Sequence, residues 1–97
     1  MRAARLAAGI LAAAFLASGA AAEDGAALTK SAGCLACHAV DQKKIGPSFK
    51  DVAAKYAGNA NAEATLMAEL KEGKGHPKVS ASDSDLKAMI DYVLSLH

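Results

Sequence analysis

The most constraining feature of this 97-residue chain is five residues long: Cys34-Leu35-Ala36-Cys37-His38. The chain has two cysteines and three histidines in all. This run gathers both thiols and one imidazole within a single turn's length. Scattered at random, they would fall this way on the order of once in a thousand chains, so the spacing needs a chemical reason. A disulfide would close too short a loop to constrain the unfolded chain much. A thioredoxin-like redox pair follows a strand in a βαβ unit, and nothing ahead of Cys34 reads as a strand. A tetrahedral zinc site needs four ligands, commonly two such pairs, and there is no second pair. The reading that uses every residue is covalent attachment of haem c: Cys34 and Cys37 form thioethers to two vinyl groups on one porphyrin edge, and His38 lies under the iron as proximal ligand.

The N-terminus supplies the compartment. Two arginines lie within Met1 to Arg5, Leu6 to Leu16 is uninterruptedly apolar, and Ser18 to Ala22 is rich in small residues. This is the order of a secretory signal peptide. A membrane anchor would need about 18–20 apolar residues. Residues 1–22 are therefore expected to be removed, leaving a domain over 23–97 in the periplasm. That domain has nine lysines against ten acids, a net charge of −1, which excludes a general nucleic-acid role. It retains no membrane span and is expected to be a monomer.

Domains this small rarely bury enough apolar area to fold unaided. The chain is 53% hydrophobic but only 4% aromatic, with no Trp, so alanine carries the total. A porphyrin at the centre would make up that deficit. Without it the mature chain is expected to be largely unfolded.

The rest of the domain reads as all-α. Glu23 to about Ser31 is an alanine-rich helix with Leu28 as its main apolar anchor. Asp41 to Ser48 is a loop containing Gly46-Pro47, where the proline stops any helix continuing from the motif. Phe49, Val52, Ala53 and Tyr56 recur at i, i+3, i+4 and i+7, the stripe of an amphipathic helix closed by Gly58-Asn59. Asn61 is placed to cap a third helix through about Glu72, with Leu66, Met67 and Leu70 apolar and Gly73 and Gly75 ending it. Lys74 to Ser80 is a loop containing His76-Pro77. Ser82-x-x-Asp85 forms a capping box for a last helix with Leu86, Met89, Ile90, Val93 and Leu94 on one face.

With these residues in view, the chain resembles the small class I bacterial cytochromes c, of the kind called cytochrome c-551 or c8. The likeness rests on Cys34/Cys37/His38, on Ile45-Gly46-Pro47-Ser48-Phe49-Lys50-Asp51-Val52-Ala53-Ala54-Lys55-Tyr56, and on the closing Tyr92-Val93-Leu94-Ser95-Leu96. It implies four or so short helices around one covalent haem, with the first and last crossing and one haem edge exposed. It also implies that the Pro47 carbonyl accepts the Nδ1 hydrogen of His38, and that Pro47, Val52, Tyr56 and Leu70 pack the haem.

The chain departs from the family at the distal ligand. Where the family has Met before Pro, this loop reads Gly75-His76-Pro77-Lys78-Val79 and has no Met. Met67 and Met89 fall on apolar helix faces, where methionine is ordinarily a core filler. His97 is terminal. The expected sixth ligand is therefore His76, with Met67 less favoured. Replacing thioether by imidazole lowers the potential relative to Met/His relatives. The expected function is one-electron carriage, without catalysis, between partner proteins. Lys43, Lys44, Lys50 and Lys55 would steer an acidic partner, or else form an ordinary solvated face. A gas- or peroxide-binding haem protein with a displaceable His76, or an electron-transfer subunit of a larger redox complex, are the alternatives. No Ser/His/Asp constellation, paired-carboxylate site or phosphate loop points to other chemistry.

Overall fold

The computed structural model describes residues 20–97, and the expected signal segment lies, apart from Ala20 to Ala22, outside them. Four α-helices and one 3-10 turn follow in order: α1 (Ala20–Ser31), the turn at Cys34–Ala36, α2 (Phe49–Lys55), α3 (Ala62–Glu72) and α4 (Asp83–Leu94). No strand occurs among the described residues, so the domain is all-α. None of its helices is long and apolar enough to cross a membrane.

α4 is the hub, packing against α1, α2 and α3. Its stripe of Leu86, Met89 and Ile90 is buried. Burying a leucine as fully as Leu86 is worth roughly 2 kcal/mol. Ser82 accepts a hydrogen bond from the Asp85 amide at 3.1 Å, starting the helix as the sequence implies. Asp83 and Asp85 in its first turn complement the helix dipole.

The closest crossing is between α1 and α4. A Cβ placed on Gly25 would fall on the Ala88 carbonyl oxygen and within 2.6 Å of Tyr92 Cβ, so only glycine lets the two backbones meet here. Gly25 and Thr29 are buried on this face, whereas Leu28, the expected anchor, is only half-buried. The helix already includes Ala20 to Ala22, ahead of the expected start at Glu23, in keeping with the high helix propensity of alanine.

α2 is started by Ser48, a buried residue whose hydroxyl accepts from the Asp51 amide at 3.0 Å. Asn61 stands at the N-cap of α3, but its side chain does not cap. Instead the Asn59 side-chain oxygen accepts from the Asn61 amide at 2.8 Å, so the turn is closed one step upstream. Gly73 ends α3 in the left-handed region at φ 72°, where a glycine escapes the steric penalty on other residues.

Candidate haem site

The attachment motif is one tight turn. Its 3-10 geometry is closed by the Cys37 and His38 amides donating to the Cys34 carbonyl at 3.2 and 3.0 Å. Both cysteines are free thiols and half-buried. Burial pushes the Cys34 thiol above its ordinary value, against an opposing backbone hydrogen bond, so it stays protonated at neutral pH.

The loop after the motif folds back and fixes His38. Gly46 donates to the Cys37 carbonyl at 2.7 Å, and Phe49 to the Ala39 carbonyl at 2.9 Å. The Pro47 carbonyl then lies 2.6 Å from His38 Nδ1, which donates to it. Phe49 stacks on the same imidazole with centroids 5.3 Å apart and planes at 29°. Gly46 lies against the ring so closely that a Cβ would stand 2.5 Å from Cε1 and 2.9 Å from Nδ1. Its φ is not in the left-handed region, so glycine is needed here for space alone.

The α3–α4 loop brings His76 opposite. Its ring centroid is 6.1 Å from that of His38, and the planes are 8° apart. Its Nδ1 donates to the Pro77 carbonyl at 2.7 Å. Both imidazoles therefore spend Nδ1 on a proline carbonyl, and among the described residues neither Nε2 has a protein partner. An imidazole nitrogen sits about 1.2 Å from its ring centre and bonds a metal at about 2.0 Å, so two rings opposed across one ion place their centroids about 6.4 Å apart. The observed spacing is a few tenths of an ångström shorter.

A cavity of about 450 Å³ opens beside the pair. Pro47, Val52, Tyr56 and Leu70 line it, together with Phe49, Leu66, Met89, Ile90 and Val93. A second cavity of about 420 Å³, lined by Gly33, Cys37, Pro77 and Val79 among others, shares Cys34, His38 and His76 with the first. The shared residues are the candidate haem contacts, so one slot runs past them. Its thiols, imidazoles and apolar walls suit a flat porphyrin. No cluster of three or more His, Cys, Asp or Glu that would hold a bare metal ion exists among the described residues.

Met67 lines neither cavity. Met89 is buried in the core. His97 is exposed, its Nδ1 donating to the Leu94 carbonyl at 3.0 Å. Of the four lysines, Lys55 lines the larger cavity and lies 5.4 Å from the Tyr56 ring centre. Lys44 Nζ donates to the Leu35 carbonyl at 2.9 Å, inside the attachment motif. Beside it Ile45 is 82% exposed.

Sequence reasoning missed the close approach of Gly46, the stacking of Phe49, and Thr29 and Glu69 on the cavity wall. Phe49 heads the stripe shared by Val52 and Tyr56, a signal that was available. Nothing local marks the other three.

The family model for cytochrome c matches residues 22–97. Cytochrome c-551 of Pseudomonas aeruginosa is 46% identical over 87 residues, covering 82% of this chain and 84% of that protein. Cytochrome c-552 of Nitrosomonas europaea is 41% identical over 77 residues, covering 71% and 75%. Among solved structures, the class 1 cytochrome MtoD of Sideroxydans lithotrophicus ES-1 matches with a TM-score of 0.71 at 35% identity, covering 76% of this chain and 94% of that one.

Proposed function

The chain belongs to the cytochrome c family, as a small class I, mono-haem c-type cytochrome acting in electron transfer, and from that premise we propose that it is a periplasmic carrier with bis-histidine ligation. Cys34 and Cys37 hold the haem by thioethers, His38 is the proximal ligand and His76 the distal one. Pro47, Val52, Tyr56 and Leu70 pack against the macrocycle. Residues 1–22 direct export and are removed.

The observation that carries this reading is the opposed pair itself: two imidazoles at 6.1 Å with planes 8° apart, each anchored through Nδ1. When bound, the haem supplies a one-electron iron couple. The protein supplies the rest. The Pro47 carbonyl fixes the tautomer of His38 and raises its basicity, leaving Nε2 for the metal. The Pro77 carbonyl does the same for His76. With His38 and His76 both holding the iron, no position would be left open for a substrate, which supports carriage rather than catalysis as the work of this chain. Imidazole in place of thioether sets the potential below that of Met/His relatives.

Lys55 lines the slot and Lys44 is tied to the attachment motif; with their sequence neighbours Lys43 and Lys50 they are four positive charges in a domain whose remainder is net negative. They steer an acidic redox partner, an effect that weakens as salt screens it. The absorption spectrum of the purified protein tests the ligation: a low-spin oxidised form without a methionine-to-iron charge-transfer band is expected. That band, or a high-spin spectrum, overturns it. His76→Met is expected to raise the potential; an unchanged value means another group binds the iron.

A further inference from the structure

The two histidines are held by unequal means, and the local restraints on the distal one come from its neighbour Pro77. On the proximal side the plane of His38 is fixed several times over: by the Pro47 carbonyl at 2.6 Å, by Phe49 stacked at 5.3 Å, and by Gly46 beneath the ring. On the distal side, among the described residues, no aromatic ring other than His38 lies against His76. Gly73 and Gly75 precede it, both at positive φ, and give the backbone little stiffness. What remains is Pro77. Its ring fixes its own φ and confines His76 to extended conformations, while its carbonyl takes the Nδ1 hydrogen at 2.7 Å. Backbone and ring torsion are thus restrained by one neighbour, and the outcome is a ring 8° from the plane of His38.

We propose that the chain sets its two axial imidazole planes parallel, and that Pro77 is the positioning residue that does so on the distal side. The inference rests on the reading of His76 as distal ligand. It goes further by fixing the ligand's orientation, a property with its own spectroscopic signature. Parallel imidazoles perturb the same one of two otherwise equivalent iron d orbitals, so the oxidised low-spin protein shows a rhombic paramagnetic resonance spectrum with three resolved g values. Crossed planes cancel that perturbation and leave one strongly anisotropic feature.

The experiment is low-temperature paramagnetic resonance of the oxidised holoprotein and of Pro77→Ala, which keeps the carbonyl but frees the backbone. Three resolved g values are expected in the unaltered protein. In Pro77→Ala the pattern is expected to broaden or move toward the anisotropic form, with a nearly unchanged thermal midpoint. A strongly anisotropic low-spin signal in the unaltered protein overturns the parallel planes while leaving bis-histidine ligation intact. An unchanged spectrum in Pro77→Ala, or one that moves only with loss of the thermal transition, overturns the role of Pro77. A high-spin signal overturns His76 as ligand and this inference with it.

Discussion

Replacing Gly46 by alanine puts a methyl group into the His38 imidazole. The added Cβ would stand 2.5 Å from Cε1, 2.9 Å from Nδ1 and 3.0 Å from Nε2. Carbon atoms rest at about 3.5–4.0 Å, so ring and loop must part by about 1 Å. The acceptor for Nδ1 is the carbonyl of the next residue, now at 2.6 Å. Moved by that amount it stands at about 3.6 Å, which is no longer a hydrogen bond. Losing that bond, or holding it under compression, costs about 1–3 kcal/mol either way. For a domain of this size that is a fall of roughly 5–20 °C in the midpoint. Thermal unfolding of the oxidised holoprotein by circular dichroism measures the fall, and its absorption spectrum reports a growing high-spin fraction as His38 is pushed off position. Gly58→Ala is the control, because its Cβ meets nothing within 4 Å and its cost comes from φ +77° alone. It is expected to lower the midpoint by the left-handed penalty of about 1–2 kcal/mol with no spectral change. If Gly46→Ala keeps both the spectrum and the midpoint, the steric reasoning is wrong.

Gly25→Ala gains about 1 kcal/mol of helix propensity yet forces α1 and α4 apart at Ala88 and Tyr92. The midpoint is expected to fall, and a rise would show that the crossing has room. The surface cluster of Glu63, Lys87 and Asp91 joins α3 to α4, with Lys87 2.9 Å from Asp91 and 3.6 Å from Glu63. The hydrogen bond to Asp91 holds Glu63 above 4.5. Its contribution is present below that value and is lost as pH rises through the folded one. Burial would raise Asp91, but hydrogen bonds with Glu63 and Lys87 outweigh it and hold Asp91 below 3.8. Its contribution is present above that value and is lost as pH falls through the folded one. Glu63→Gln keeps a donor to Asp91 without the second charge. It is therefore expected to match or slightly exceed the unaltered protein at pH 7, by under about 1 kcal/mol for so exposed a cluster, and to lose the advantage below pH 4.5. A clear loss of midpoint at pH 7 would mean that the Glu63–Lys87 pair dominates.

The parts legible in the sequence were those whose cause is local. The stripe of α4 announces its buried face because Leu86, Met89 and Ile90 recur at helical spacing, and Ser82 starts that helix for reasons contained in four residues. The motif's chemistry is likewise carried by five consecutive residues. What stayed hidden depends on a partner distant along the chain. Gly25 looks like a weak point in an alanine-rich helix until Ala88 and Tyr92 arrive beside it. Gly46 looks like half of a turn signal until the His38 ring lies against it. Asn61 has the right residue type for a cap, but Asn59 answers its amide first, a competition that propensity does not rank. Leu28 outranks Thr29 in apolarity, yet the helix turns Thr29 inward, because the approach at Gly25 sets the rotation of α1.

The loop bearing His76 is tied back to the helices by few backbone bonds: the Gly73 and Lys74 amides to the Glu69 carbonyl, and the Val79 amide to that of Leu70. None of these bonds reaches the motif, α2 or the α1–α4 crossing. The two histidines thus sit on unlike supports: His38 on a fixed frame, and His76 on a short segment anchored at Leu70 and Ser82. Under the proposed ligation by His76, exchanging this segment is expected to retune the driving force of electron transfer without rebuilding the core.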